Sequence, residues 1–222
     1  RHGTAHSLLR LIQASATAFA ADQHFGCISY DFSKAYNRVP RHRVVKKLQD
    51  MQTPPYLLSF VNSWLTERRM QVHHRGATSS PLTTNNGIPQ GSCLSVLLWL
   101  VFINDIPIDP ECGNIYVDDS VVWTIAKNPR QMIQELYRKA HKIEDWCTDN
   151  HVLINVAKTK VIANGYHRLN RIRLQDGSTI YPTKELRYLG VILKSPAYDA
   201  RSCIMLDMKP VAADLRRRSG VL

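Results

Sequence analysis

Paired cysteines, long apolar runs and a balancing share of acids are all missing from this sequence. The five cysteines, at positions 27, 93, 112, 147 and 203, stand far apart with no C-x-x-C pair. That spacing argues against a zinc site and a disulfide framework, and points to a reducing compartment. The longest apolar run, Cys93 to Ile103, is broken by Ser95 and falls short of the roughly 20 residues that cross a bilayer. No signal peptide is expected, and the sequence shows no internal repeat or low-complexity linker. Only 18 acids face 29 lysines and arginines, a formal charge of +11. The bases recur at Arg41-His-Arg43, Lys46-Lys47, Arg68-Arg69, Arg168 to Arg173 and Arg216-Arg-Arg218, so the excess is not one tail. One reading is a scattered basic surface. The other is a polyanionic partner, either nucleic acid or an anionic membrane surface. The chain starts with Arg1 rather than Met, as a piece of a longer protein would.

What is present is enough for one good-sized core: 222 residues, 44% hydrophobic. Helical spacing runs through His6 to Ala21, and Cys27 to Tyr30 reads as a strand ending at Asp31. A basic helix is predicted at Arg41 to Met51, with Val44, Val45, Leu48 and Met51 on one face. Another opens at Pro54-Pro55, with Leu57, Leu58, Val61, Trp64 and Leu65 inward. Met70 to His74 reads as a strand and Gly76 to Asn86 as a polar turn segment. Ser92 to Asn104 is an apolar helix expected to be buried on most sides. Cys112 to Tyr116 and Val121 to Ile125 read as strands around a tight turn. Asn128-Pro129 starts a helix carrying Met132, Ile133, Leu136, Ala140, Ile143 and Cys147. Leu153 to Asn155 and Lys160 to Ala163 are short strand pieces. Ile172 to Ile180 is a hairpin around Asp176-Gly177, and Leu186 to Leu193 adds one strand. The tail from Met208 is expected to be helical. This order predicts an α+β fold, a small antiparallel sheet backed by helices.

The stretch Ile115-Tyr-Val-Asp-Asp-Ser120 places two adjacent acids after an apolar run. Asp31 also ends a strand, so all three carboxylates can converge at one sheet edge. A solvated turn is the ordinary explanation of Asp118-Asp119. Three carboxylates together, however, need divalent cations, and with Mg²⁺ they suit phosphoryl transfer on two ions about 3.5–4 Å apart. Positioning and electrostatics dominate such chemistry.

The ordered motifs resemble the palm of a reverse transcriptase of the non-LTR (LINE-like) retrotransposon type. Asp31-Phe-Ser-Lys-Ala-Tyr-Asn-Arg-Val39 is similar to the family's first catalytic motif, and Tyr116-Val-Asp-Asp119 to its [FY]-x-D-D box. Gly87-Ile-Pro-Gln-Gly-Ser-Cys-Leu-Ser95 resembles the nucleotide- and template-contacting motif, continued at Ile103-Asn-Asp-Ile106. Leu153-Ile-Asn-Val-Ala-Lys-Thr-Lys160 resembles the lysine motif, and Tyr188-Leu-Gly-Val191 the primer-grip hairpin. The segments Arg1 to Leu11 and Trp64 to Arg68 resemble flanking parts of these elements. Val96 stands where the family usually has Pro, and Asn37 where Asp is common.

The resemblance implies RNA-templated DNA synthesis, with dNTP added to a primer 3′-hydroxyl, as part of a retrotransposon polyprotein. It implies that two Mg²⁺ ions (Mn²⁺ as an alternative) are held by Asp31, Asp118 and Asp119, with the Phe32 carbonyl as a further ligand. Lys158 or Lys160 would be the general acid for pyrophosphate. Tyr36 would be a steric gate against a 2′-hydroxyl, or simple core packing. Gln90 and Gly91 would line the nucleotide and template pocket. Leu189 and Gly190 would position the primer end, or form a plain strand with a glycine bulge. Partners would be RNA template, DNA primer and dNTP, without membrane. Residues 1–25 and 40–86 would be partial fingers and their connections, 26–39 and 87–193 palm, and 194–222 the start of a thumb. The remaining fingers, the thumb and an endonuclease would lie outside this chain. An intracellular, nuclear location follows from the resemblance alone. The rivals are a catalytically silent nucleic-acid-binding remnant, a group II intron or telomerase-like reverse transcriptase, and a membrane-surface protein.

Overall fold

The computed structural model describes residues 3–164, 171–195 and 205–207. In chain order, α1 (Thr4–Ala20) leads to β1 (His24–Tyr30), α2 (Ala35–Arg38), α3 (Arg41–Asp50) and α4 (Pro55–Leu65). The short strands β2 (Arg68–Met70), β3 (His73–His74), β4 (Ala77–Thr78) and β5 (Leu82–Thr84) precede α5 (Cys93–Ile103). Next come β6 (Gly113–Tyr116), β7 (Asp119–Ala126), α6 (Pro129–Asp149) and β8 (Lys160–Ala163). Finally there are β9 (Ile172–Arg173), β10 (Thr179–Ile180), β11 (Glu185–Tyr188), β12 (Val191–Lys194) and β13 (Met205–Asp207). The chain divides into two compact units: one from the described parts of 1–32, 107–145 and 154–222, the other from 33–106 and 146–153.

The first unit is built on an antiparallel sheet in the order β6-β7-β1-β8. Its central strand, β1, buries Phe25, Gly26, Cys27, Ile28 and Tyr30, the near-continuous apolar run of a strand covered on both faces. Alternation puts Phe25 and Cys27 on one face, in a core cluster with Leu11 and Ala18 of α1, Val121 and Trp123 of β7, and Leu186, Tyr188 and Leu193. The opposite face meets α6: a Cβ on Gly26 would lie 2.8 Å from Leu136 Cδ1. Asn128 caps α6, its Oδ1 accepting from the Gln131 N–H at 2.9 Å.

The second unit packs α2 to α5 around a run of rings. Tyr36 stacks on Trp99 (5.4 Å, 26°), Trp99 touches Phe102 (5.8 Å), and Phe102 meets Trp146 edge-on (5.7 Å). Lys47, which the sequence offers as one more surface base, sits among these rings. Its Nζ lies 4.7 Å from the Phe102 ring centre and 2.6 Å from Asp105 Oδ1. Burial lowers its pKa and the Asp105 partner opposes that. Its neighbour Lys46 pairs with exposed Asp50 one helical turn on, a contact worth about 0.3–0.5 kcal/mol.

Several local expectations are corrected. Met51 and Leu57 are exposed, and only Val61 and Leu65 of α4 are fully buried. Val96, Leu97 and Leu100 of α5 face outward, so that helix is buried on one side only. The segment 76–86 is not merely a turn: β4 and β5 within it pair back onto β3 and β2. Leu186 to Leu193 is a hairpin of two strands rather than one, because Leu189 and Gly190 both adopt left-handed backbone (φ 47 and 84) and reverse the chain. The tail from Met208 lies outside the described residues.

Candidate active site

Strand pairing brings the acids together. The β1–β7 register ends at Tyr30↔Ser120, and one further step sets Asp31 across from Asp119. On the other side of β7, Tyr116 pairs with Asp119, leaving Val117 and Asp118 as a two-residue hairpin tip. Val117 holds φ 58, a conformation that costs a β-branched residue on the order of 1–3 kcal/mol. Strain of this size is a recurrent property of functional turns.

The electrostatics agree. The Asp119 carboxyl is pushed above its ordinary pKa of 3.8, first by partial burial, then by the negative charges of Asp118 and Asp31. Asp118 and Asp31 thus both act on Asp119. Among the described residues no three carboxylate, imidazole or thiol groups already converge on a single point as metal ligands would. The donor chemistry nonetheless fits a hard divalent cation, since oxygen ligands of mutually repelling charge gain most from one.

Asp31 is held from behind by the lysine motif. Its carbonyl accepts from the Asn155 N–H at 2.8 Å, and its own N–H donates to Thr159 Oγ1 at 3.4 Å. Phe32 bridges to Ile154. Lys158 Nζ stands 3.7 Å from Asp31 Oδ2. Lys160, set opposite Ser29 in β8, donates instead to the Ala157 carbonyl at 3.1 Å. Tyr188, the last residue of β11 before the hairpin turn, is buried in the core. Its phenol is raised well above the usual range, by burial and then by the negative charge of Asp119. The Leu189–Gly190 turn thus belongs to the same unit as the acids.

Tyr36, Gln90 and Gly91 belong to the second unit. There the backbone joins the two motifs directly: Ile88 N–H donates to the Tyr36 carbonyl and Gly87 N–H to that of Val39, both at 2.8 Å. Gly87 has φ 84, and a Cβ there would lie 2.7 Å from the Asn37 carbonyl oxygen, so no side chain fits. Gly91 also has positive φ (88), and open space lies in front of it. Gln90 is exposed and lines a cavity of about 410 Å³ with Asn37, Arg41, Arg68, Thr84 and Gly87.

Sequence reasoning missed Arg41, which looked like one base of a solvated helix. Its guanidinium donates to the carbonyls of Thr84, Asn86 (3.1 Å) and Gly87 (2.8 Å), and to Thr84 Oγ1 (2.9 Å). Burial, then the nearby Arg68 charge, lowers its pKa. It fixes the segment leading into Gln90. Its position directly after the Val39-Pro40 end of the first motif was the available signal.

A strand-end acid, a hairpin-tip acid pair and a lysine turn around one antiparallel sheet define the palm of a template-copying polymerase. The family model for reverse transcriptase (RNA-dependent DNA polymerase) matches residues 3–193, and the chain belongs to that family, in its non-LTR retrotransposon branch. It is 31% identical over 204 residues to the probable RNA-directed DNA polymerase from transposon BS of Drosophila melanogaster, covering 86% of this chain and 22% of that protein. It is 28% identical to the RNA-directed DNA polymerase from mobile element jockey of the same species, covering 87% and 22%. The chain therefore spans about a fifth of the length of these curated relatives. Among solved structures, apo telomerase from Candida tropicalis shares the fold at TM-score 0.57 and 10% identity, over 90% of this chain and 36% of that one. Telomerase from the same organism in complex with a TWJ fragment of telomeric RNA does so at 0.53 and 12%, over 89% and 32%.

Proposed function

We propose that this chain is the catalytic palm, with part of the fingers, of an RNA-directed DNA polymerase that extends a primer 3′-hydroxyl with dNTP. The observation that carries this is the β1–β7 register, which sets Asp31 against the Asp118–Asp119 tip. The palm would comprise residues 26–39 and 87–193, with the thumb beginning at 194. Asp31 and Asp118 would hold magnesium, with Asp119 beside them and the Phe32 carbonyl as a further ligand. The ions would supply activation of the primer hydroxyl and neutralisation of the departing pyrophosphate.

The remaining work falls to this chain's own groups. Lys158, 3.7 Å from Asp31 Oδ2, would donate a proton to pyrophosphate. Tyr36, its ring fixed against Trp99, would exclude a 2′-hydroxyl. Gln90 and Gly91 would meet the incoming nucleotide and template base, and the Leu189–Gly190 turn the primer end. The +11 charge would hold both backbones through phosphate contacts. Copying would take place at the chromosome, and so in the nucleus. The test is primer extension on an RNA template with Mg²⁺, using a polypeptide that carries the flanking segments of the relatives. Incorporation that requires dNTP, RNA template and Asp118 supports the reading; incorporation unaffected by Asp118→Asn overturns it.

A further inference from the structure

No acid occurs anywhere between Arg68 and Asn104. Within that window β2 to β5 form two successive two-stranded ladders of one hairpin ribbon, Arg68↔Thr84 to Met70↔Leu82 and then His73↔Thr78 to His74↔Ala77. Two residues separate Met70 from His73 but three separate Thr78 from Leu82, so the returning strand bulges over 79–81. The Ser79 N–H donates to the Val72 carbonyl at 3.0 Å and closes the ribbon there. At the tip, Arg75 and Gly76 both have positive φ.

Alternation along the unbulged strand sorts the side chains. Arg68, Met70 and Val72 share one face with Thr84 and Leu82, and at its base Arg68, Met70 and Thr84 line the cavity beside Gln90. The other face carries Arg69, Gln71 and His73, with Arg75 at the tip. Its cross-strand rungs are hydroxyls: Thr83 opposite Arg69, and Thr78, whose Oγ1 lies 2.8 Å from His73 Nδ1. All of these are exposed. Cations and hydroxyls in register form a surface for phosphate oxygens. From Arg69 to Arg75 the face runs roughly 20 Å, the length of several successive phosphates.

We infer that residues 68–84 form a nucleic-acid docking arm whose Arg69–His73–Arg75 face grips the phosphate backbone of a duplex. A duplex is favoured over a single strand because the ribbon has no Phe, Tyr or Trp between residues 66 and 86, and single-strand binding draws on aromatic stacking. Charge complementarity identifies the partner. Choosing the RNA–DNA hybrid as that duplex rests on the polymerase reading above.

The test uses the 222-residue chain in EDTA without dNTP, so that binding is read independently of catalysis. Anisotropy of a labelled 20-base-pair RNA–DNA hybrid is followed between 50 and 200 mM salt. Arg69→Ala with Arg75→Ala is expected to weaken binding on the order of tenfold and to flatten the log–log salt slope by about 2. Replacing both by Lys should restore the slope, which a purely structural role would not predict. An unchanged slope overturns the proposal. So does a loss seen only with the single-stranded form of the oligonucleotide, or only with anionic phosphatidylserine vesicles. Because both arginines are exposed, the thermal unfolding midpoint should not move. Failure of the arm would leave Asp118-dependent incorporation intact, whereas failure of the polymerase reading would leave hybrid binding intact.

Discussion

Lys158 Nζ lies 3.7 Å from Asp31 Oδ2, while Lys160, two residues on, is turned away to the Ala157 carbonyl. Both partners of the first contact are substantially exposed, so it adds little stability. Its meaning is positional, since it marks one lysine of the motif as the neighbour of the acids. Lys158→Ala is expected to slow nucleotide incorporation by about 10²-fold or more, the ordinary worth of a positioned general acid. Lys160→Ala should change the rate by less than a few fold. Single-turnover primer extension across pH separates the two, and equal losses would refute the assignment.

The two outer acids should tolerate no amide. Asp31→Asn and Asp118→Asn are each expected to reduce incorporation by 10²–10³-fold at least, on the order of losing one strong electrostatic contact to the transition state. The circular dichroism of both variants should match that of the parent, because neither side chain belongs to the buried core.

Asp119 gives a pH signature. Its pKa in the folded chain is raised above 3.8, so above that pH the native state holds more protons than the unfolded one. Stability then falls as pH rises through the window between the two values. Urea midpoints in EDTA should show this fall for the parent chain and a smaller one for Asp119→Asn. Adding Mg²⁺ at neutral pH should raise the parent's midpoint, and less so that of Asp118→Asn.

Gly87 and Gly91 look equivalent in the sequence and should not behave so. Both have positive φ, but only at Gly87 does a methyl group strike backbone, 2.7 Å from the Asn37 carbonyl. Gly91→Ala should cost about 1 kcal/mol, the price of left-handed backbone. Gly87→Ala should cost at least 2 kcal/mol more by urea denaturation.

Tyr36→Ala should admit ribonucleotides. The expected readout is a fall in the dNTP-to-NTP ratio of kcat/KM, with dNTP incorporation itself less affected. Unchanged sugar discrimination would leave the ring as a packing partner of Trp99.

The legible parts of this chain were those set by short-range rules. The end of β1 just before Asp31, the Asn128 cap of α6 and the 172–180 hairpin all follow from local residue choice. The register that sets Asp31 against Asp119 spans about 90 residues, and only the motif order hinted at it. Arg41 and Lys47 were invisible for a different reason. A base on an amphipathic helix reads as solvated unless the acceptors it will meet, carbonyls at 84–87 or Asp105, are known to fold over it. The outward face of α5 was misread because Val96, Leu97 and Leu100 are as apolar as the buried Leu98 and Phe102.

Strand β1 lies in the middle of its sheet, yet neither of its neighbours has been made when it leaves the ribosome. β7 is completed only at Ala126 and β8 at Ala163. At ordinary elongation speeds the apolar segment Phe25 to Tyr30 waits roughly 10 s for its second partner. Synthesis of this chain therefore passes through a period when this apolar strand has both hydrogen-bonding edges open, and holdase chaperones acting on nascent chains would be needed in that interval.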